Sequence, residues 1–500
     1  MRHRPYLYQR GRMGWNERVD GGWMFLRPAP GPSLTVDGLR RDGIVKGYVE
    51  VPGRAIAGNY SLSFGQGLIF YDRLGEFSRS DWVQGGGPHP DLSGRRSAYL
   101  RGGVVEINQG FLTEDVFYSR QFLDLPVDPE GDGIGVPSAT EEKIFGARID
   151  ARGETARLAV TALRTRFSND VYSPDSPFRE VPGFRGRHYD AWGADGALQG
   201  EEWRLAADAA FSSEEERHGR ASAATLVRAE EDSRVWISLF DYDENYYAPR
   251  GKGPAFDASG SPDSTPSNQR GVSAGARREA SWGFLEGEAA LARFPSAIGN
   301  GTSEAPVFPS QASRRRLEGL WRPSPPWDIS FRLQESARDR FAVPQGGSVR
   351  IPGEETVRRA RLETSWQASP EIRLKGRIDE RWEREPVTGR RADGKLVMGE
   401  ACWSGGSPWS TTVRWYAFNS PTAFLTTGVE EVWDGVLSPQ PSGGMGNLRG
   451  AMGERYALIA RRRWGKIFRM WVKYDAVIRW LGAQTSDSRH AWHLQADYGW

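Results

Sequence analysis

The chain has 500 residues, with 66 Lys and Arg against 64 Asp and Glu, so its formal charge of +2 excludes bulk attraction to nucleic acid as a driving force. Hydrophobic residues make up only 38%, yet aromatics reach 12% with 20 Trp, a balance that suits a thin wall, apolar on one side and wet on the other, better than an aliphatic core. The single cysteine, Cys402, excludes an intrachain disulfide and zinc sites built on Cys pairs. No apolar run is long enough for a transmembrane helix.

At the start, no apolar stretch follows Met1, so no signal peptide is visible, and the chain is expected to be a mature form, a fragment or a misassigned start. Residues 6–26 are expected to supply a first strand, although Gly and Pro interrupt every run before Ala98. In 58–68, Tyr60, Leu62 and Phe64 share one parity, with Ser61 and Ser63 between them, as a wall strand would. Gly65 and Gly67 allow a bulge or close backbone approach, and Gln66 between them is placed to hydrogen-bond an inward loop. The Gly- and Pro-rich run 85–91 is expected to be an ordered, plug-like segment.

From there a unit recurs: two alternating strands of about ten residues around a short turn, then a long polar connection. Phe145, Ala147 and Ile149 lead into Ala156, Leu158 and Val160. Stretch 221–228 leads into 234–242, and Leu317, Gly319 and Trp321 into Trp327, Ile329 and Phe331. The clearest pair joins 357–366 to 372–382 through a turn containing Pro370. In its second strand Ile372, Leu374, Gly376, Ile378 and Trp382 alternate with Arg373, Lys375, Arg377, Asp379 and Arg381. The first carries Arg359, Arg361 and Glu363 on the polar parity. Stretch 456–463 leads into Phe468, Met470 and Val472. Long connections are expected at 168–187, 243–269, 295–313, 337–354 and 434–452.

The chain ends on R-H-A-W-H-L-Q-A-D-Y-G-W, where Trp492, Leu494, Ala496, Tyr498 and Trp500 share one face and His493, Gln495 and Asp497 the other. An aromatic-ended last strand is how an outer-membrane barrel closes. The expected fold is therefore all-β: one domain over 1–500, a large transmembrane antiparallel β-barrel of roughly 22 to 26 strands, with short periplasmic turns and long extracellular loops. Its expected location is the bacterial outer membrane. Its expected partners are membrane lipid, the barrel-assembly machinery and a periplasmic protein.

The stretch Gly58, Asn59, Tyr60, Ser61, Leu62, Ser63, Phe64, Gly65, Gln66, Gly67, Leu68 resembles the GDYxLxFGQGL signature of large bacterial outer-membrane barrels that follow ComEA-like helix-hairpin-helix repeats. Similar blocks follow in the same order at 243–247, 268–271, 285–288, 291–295, 429–433 and 450–456. Asn59 stands where that family has Asp, and the helix-hairpin-helix repeats are absent from this chain, so DNA contact through them is not implied. The signature is read as structural, at barrel closure or plugging, ahead of a ligand site.

The six His residues include no H-x-H or H-x-x-x-H pair, which speaks against a metal site, and no cofactor is implied. His493 and Asp497, four apart on a strand, lie roughly 13 Å apart, too far for direct activation. The glycine-rich run 443–450 lacks the strand-then-helix context of a nucleotide loop and is read as a flexible extracellular loop. Inward-facing Arg359, Arg361, Glu363, Arg373, Lys375, Arg377, Asp379 and Arg381 either form an anion-attracting wall or interlock with neighbouring acids; the near-zero net charge favours interlocking. Three functions stay open. The leading one is a passive outer-membrane channel or translocation barrel. The second is a plugged barrel that anchors a periplasmic domain or partner. The third is a barrel-embedded hydrolase, which requires a Ser–His or His–carboxylate pair within hydrogen-bond reach.

Overall fold

The computed structural model describes residues 7–15, 18–27, 44–70, 86–92, 100–123, 140–172, 185–214, 217–251, 253–254, 268–295, 310–342, 351–384, 389, 391–405, 408–420, 451–465, 468–480 and 486–498. Among them every regular element is a β-strand, and all the strands belong to one sheet. The physical cause is the period-two alternation of the sequence. Along Thr140–Arg152, for example, Ile144, Arg148 and Asp150 are buried while Phe145 and Ile149 point out and stay exposed.

β1 (Leu7–Trp15) pairs with β2 (Val19–Arg27), β2 with β3 (Ile44–Val51), and β3 with β4 (Ala55–Ser63). β5 (Gly87–Pro90) lies beside the end of β4, whose start pairs instead with β6 (Leu100–Gln109). An unbroken antiparallel meander follows through β7 (Leu112–Leu123), β8 (Thr140–Arg152), β9 (Ala156–Tyr172), β10 (Arg185–Gln199), β11 (Trp203–Glu214) and β12 (His218–Ala229). It continues with β13 (Ser233–Tyr242), β14 (Gln269–Ala280), β15 (Gly283–Phe294), β16 (Ser310–Trp321), β17 (Trp327–Ala342) and β18 (Ile351–Gln367). The circuit is completed by β19 (Ile372–Arg384), β20 (Arg391–Trp403), β21 (Trp409–Ser420), β22 (Ala451–Trp464), β23 (Phe468–Trp480) and β24 (Ser486–Tyr498).

β24 meets β1 side by side and in parallel, with Arg10 opposite Asp497 and Gly11 opposite Tyr498. The sheet is thereby a closed barrel. The parallel seam follows from parity: β5 stands outside the wall, because β4 bonds β6 directly, so the circuit has one strand fewer than the 24 of the sheet, an odd number. An up-and-down path with an odd number of strands returns to its start running the same way.

The connections alternate as expected. At one end they hold two to five residues, as at 110–111, 281–282 and 404–408; at the other they include 28–43 and 421–450. Two connections are shorter than expected, because β9 runs on to Tyr172 and β17 to Ala342. Polar side chains cost a strand nothing once it protrudes into water, so the ladder continues through them, pairing Arg340 with Gly353 and Phe341 with Pro352. The outward rows are Val, Ile, Leu and aromatic, and exposed Trp residues collect beside the short turns: Trp15, Trp203, Trp282, Trp321, Trp366 and Trp403. Trp327 stacks on Trp366 at 5.5 Å between ring centroids. The apolar core lies inside the cylinder, to one side, where Phe64, Leu68 and Phe70 pack among Phe117, Ile144, Tyr189, Phe240 and Tyr242.

One backbone position allows that core. β3 and β4 part at Gly58, which sits at φ +110 and whose added Cβ would collide with the Gly47 carbonyl and Tyr48 Cα. We expect Gly58→Val to destabilise the refolded barrel by roughly 1–3 kcal/mol in urea titrations, the usual size of such strain. Gly53→Ala, at φ +68 with nothing within 4 Å, should cost only about 1 kcal/mol.

Candidate functional site

Beyond Gly58 the fourth strand leaves the wall. From Asn59 to Phe64 every residue is buried whichever way it points, and among the described residues Tyr60–Ser63 pair only with β5 and, at Tyr60, with the tip of β6. The structure thus differs from the wall strand expected here: the ribbon of β4 and β5 folds into the lumen, where both of its faces find cover. Its root is tied to the wall. Lys46 Nζ donates to Asp91 Oδ2 at 2.8 Å, and both side chains are buried. Gly47 N donates to Asn59 Oδ1 at 2.9 Å, and Tyr60 Oη donates to the Tyr118 carbonyl at 2.8 Å.

Residues 64–70 form the tip of this plug. Phe64 N donates to the Phe70 carbonyl at 3.2 Å, closing a loop in which Gly65 and Gly67 take positive φ of 54° and 89°. A Cβ on Gly65 would press on Asp195 and Asp208, so glycine is what lets the loop approach the wall. Gln66 is the anchor. Its Nε2 donates to the Ala206 and Ala223 carbonyls at 3.3 and 3.0 Å, and its Oε1 accepts from Thr225 Oγ1 at 2.6 Å. Asp208 Oδ2 accepts from the backbone N–H groups of Gln66 and Leu68 at 3.2 and 3.5 Å. Beside it, Arg148 holds Asp195 in a two-bond fork at 2.6 and 2.9 Å and lays its guanidinium over the Phe64 ring, 4.8 Å from the centroid. These groups are all buried, so each polar atom needs its partner.

The segment after β13 straps the plug down. Tyr246 Oη donates to the Leu68 carbonyl at 2.9 Å, Tyr247 N donates to Ser212 Oγ at 2.9 Å, and Arg250 Nη2 meets Glu142 Oε2 at 2.6 Å. Burial drives both phenols well above their ordinary pKa, which keeps them neutral. Asn268, at φ 48°, returns the chain to the wall, its N–H donating to the Asp243 carbonyl at 3.1 Å. The signature at 58–68 and the blocks at 243–247 and 268–271, far apart in sequence, therefore meet at one place.

The inward-facing charges of the 357–382 hairpin lie across the lumen from this plug. Ala360 and Leu362 point outward while Arg361 and Glu363 point in, and Arg377 and Asp379 are buried inward-facing residues on either side of the exposed Ile378. They interlock with acids. Arg361 Nε and Arg377 Nε donate to Asp379 at 2.7 and 2.8 Å, Lys375 meets Glu363 at 2.6 Å, Arg381 pairs with Glu383, and Arg373 lies 3.7 Å from Glu400. Arg359 faces Arg381 across the strand pair. The ion-pair network extends to Glu318, Arg332, Arg414, Arg455 and Asp475 on neighbouring strands.

Trp492 is exposed on the outer face of the closing strand, 4.7 Å from the Tyr474 ring. The side chains of Leu494 and Tyr498, all of Trp500, His493 with Asp497, and the run 443–450 lie outside what is described. A Ser–His contact of the required reach exists: Ser213 Oγ and His218 Nδ1 are 2.9 Å apart, as directly opposed residues at the end of the β11–β12 hairpin. Ser213 lies on the outward parity, and among the described residues Ser213 is the only hydrogen-bond partner of His218. Among the described residues no three potential metal ligands gather.

Sequence reasoning missed Lys46, Asp91, Arg148, Asp195, Asp208 and Arg250. Two left a signal. Asp195 in W-G-A-D-G-A and Asp208 in A-A-D-A-A are lone acids among small residues on the inward parity, which marks a place where something else approaches.

No family model matches this sequence, and no curated protein matches it. Solved bacterial outer-membrane barrels are similar in overall architecture. OpdK of Pseudomonas aeruginosa, solved with vanillate, is 11% identical over 77% of this chain and 96% of its own, with a TM-score of 0.32. The ferric yersiniabactin uptake receptor FyuA of Yersinia pestis is 12% identical over 95% of this chain and 77% of its own, with a TM-score of 0.41. OmpT of Vibrio cholerae is 8% identical over 63% of this chain and 89% of its own, with a TM-score of 0.29.

Arg148→Met would leave Asp195 buried without its fork, and we expect it to destabilise the barrel by roughly 3–5 kcal/mol. Gln66→Ala, which orphans neutral groups only, should cost about 1–3 kcal/mol. Urea midpoints of the two variants, refolded side by side, check the order.

Proposed function

We propose that this chain is an outer-membrane β-barrel that passes solutes through the part of its lumen left beside the plug. Support for the membrane begins on the outside. Rows of exposed Val, Ile, Leu and Trp around a closed wall would aggregate in water, whereas in a bilayer they are the solvated face. The Trp residues beside the short turns sit where indole prefers to lie, at the headgroup level. Membrane lipid and the assembly machinery that inserts such barrels are the partners this placement entails.

One observation carries the passage. The plug covers the inward faces of β7–β13, whose charged and polar residues are buried, while Arg332 on β17 and Glu363 on β18 keep 20% and 24% of their side-chain surface open. That side of the lumen is wet. The second reading is a plugged anchor for a periplasmic domain or partner, favoured by the apolar core around Phe64 and Phe70 and by the resemblance of 58–68 to barrels that carry helix-hairpin-helix repeats.

Planar-bilayer recording separates them. The purified barrel should conduct, and replacing residues 64–70 by a short Gly-Ser linker should enlarge the conductance. A barrel that stays silent in both forms, yet retains a periplasmic protein through purification, is an anchor. For the hydrolase, a serine-reactive fluorophosphonate should leave the barrel unlabelled; labelling that disappears in Ser213→Ala would reinstate that activity.

A further inference from the structure

A row of basic residues crosses the outside of the wall toward the end that carries the long connections. Arg120 on β7 stands directly opposite Lys143 on β8, Lys143 opposite Arg166 on β9, and Arg166 opposite His188 on β10. All four are exposed and share the outward parity of Phe122, Phe145, Val160 and Trp192 on the same strands. Arg101, exposed on β6, continues the row on one side, and Arg164 lies two residues below Arg166. Like charges directly opposed on neighbouring strands repel, because their Cβ atoms lie only about 5 Å apart. The outward carboxylates beside the row are Glu141 and Asp190, and both are committed. Glu141 pairs with Arg120 and meets Lys143 at 3.0 Å, and Asp190 is held by Arg164 in a fork of two bonds at 2.8 Å. Among the described residues five fixed cations therefore share two carboxylates, with His188 in addition.

The level of the row decides what it meets. Lys143 lies nine residues up the strand from Arg152 at the short turn. At roughly 3.4 Å per residue and a tilt of roughly 40° that is a height of about 23 Å, near the upper edge of the apolar band of such a wall. Exposed aromatics bracket it, with Phe122 beyond Arg120 and with Tyr118, Phe145 and Trp192 below. An aromatic on the outer face beyond the row keeps the row within the headgroup layer and out of open water. What lies beside exposed Lys and Arg at that depth is a lipid head group, and a phosphate is the anion their donors fit. Neighbouring strands are roughly 4.8 Å apart, so the row from Arg101 to His188 spans about 19 Å. One phosphate bridges two adjacent side chains and leaves the other oppositions in place; two phosphates on one head group neutralise the row along its length.

We propose that the outer face of β6–β10 is a lipid-binding site, built by Arg101, Arg120, Lys143, Arg166 and His188 for a head group that carries two phosphates. The phosphates lie along the basic row while the acyl chains run down over Phe145, Val160 and Trp192. This site rests on the reading of the wall as membrane-spanning and names the class of lipid it selects.

The test uses the full chain, stripped of lipid in detergent and titrated with single lipids under native mass spectrometry. Cardiolipin, with two phosphates on one head group, should bind more tightly than phosphatidylglycerol at equal phosphate, and phosphatidylcholine least. In Lys143→Gln/Arg166→Gln cardiolipin binding should weaken roughly tenfold or more, the weight of lost charged hydrogen bonds. Glu141 and Asp190 keep Arg120 and Arg164 in that variant, so the wall should fold, which heat-dependent mobility on gels confirms. Arg315→Gln/Arg358→Gln removes two exposed outward arginines from β16 and β18 and should leave the binding unchanged. Both variants keep every apolar contact of the β6–β10 face, so the difference between them reports the phosphates alone. Phosphatidylglycerol or phosphatidylcholine binding as tightly as cardiolipin, or equal losses in the two variants, overturns the site. Flotation with phosphatidylcholine vesicles separates the two readings. A chain that floats without lipid preference loses only the site, and one that does not float loses the membrane with it.

Discussion

A wall one strand thick has no backbone group to spare. In an apolar surround every N–H and C=O must find a partner within the sheet, so the sheet must close. Here closure falls to β1 and β24, which lie parallel because the wall contains an odd number of strands. The first strand is therefore as necessary as the last. Once the circle is closed the period of two fixes the side of every residue, and a slip by one would turn Arg148 and Asp195 outward and Phe145 and Trp192 inward. The paired charges inside and the apolar rows outside hold one register between them.

A circle of this circumference encloses more space than its own side chains fill. The chain answers by sending part of a wall strand inside. Gly58 supplies the bend, Gly65 the close approach, and the wall provides what the inward backbone lacks. Free N–H groups of a loop turned against a sheet need acceptors, and Asp208 supplies one for both Gln66 and Leu68. The Gln66 amide, which can donate twice and accept, is matched on all three counts by Ala206, Ala223 and Thr225. A polar seam matched in this way at Gln66 specifies one docked position, where an apolar contact alone would tolerate several.

Much of this was legible in the residues before any coordinates. Alternation between Ile372 and Trp382 located a strand and its faces, since a sheet's side-chain period is short and local. Turns such as the one at Pro370, flanked by Trp366, marked the ends for the same reason. The destination of 58–68 was not legible. Alternation reports that a strand has two different faces; it cannot report that both will be covered, because the cover comes from β7–β13, far along the chain. Tyr60, Leu62 and Phe64 looked like one face of a wall strand, with Ser61 and Ser63 as its wet side. In fact Ser61 and Ser63 are as buried as their neighbours. The lone aspartates at 195 and 208 held the missing half, and only a question about why an acid sits among alanines would have found it.

The plug also decides where the charges of a nearly neutral chain are spent. A loop that turns backbone N–H groups and an apolar tip toward the wall calls for acids beneath it, and Asp115, Glu142, Asp195, Asp208 and Glu214 all lie on the covered faces of β7–β11. Those acids are withdrawn from the water-filled space. Their bases are withdrawn with them, as in the Arg148–Asp195 and Arg250–Glu142 pairs. On β16–β21 the inward arginines are likewise paired, Arg332 with Glu318, Arg361 with Asp379, Arg381 with Glu383 and Arg414 with Glu400. The near-neutrality of the whole sequence is thus the sum of pairings made on both sides of the lumen, under the plug and away from it.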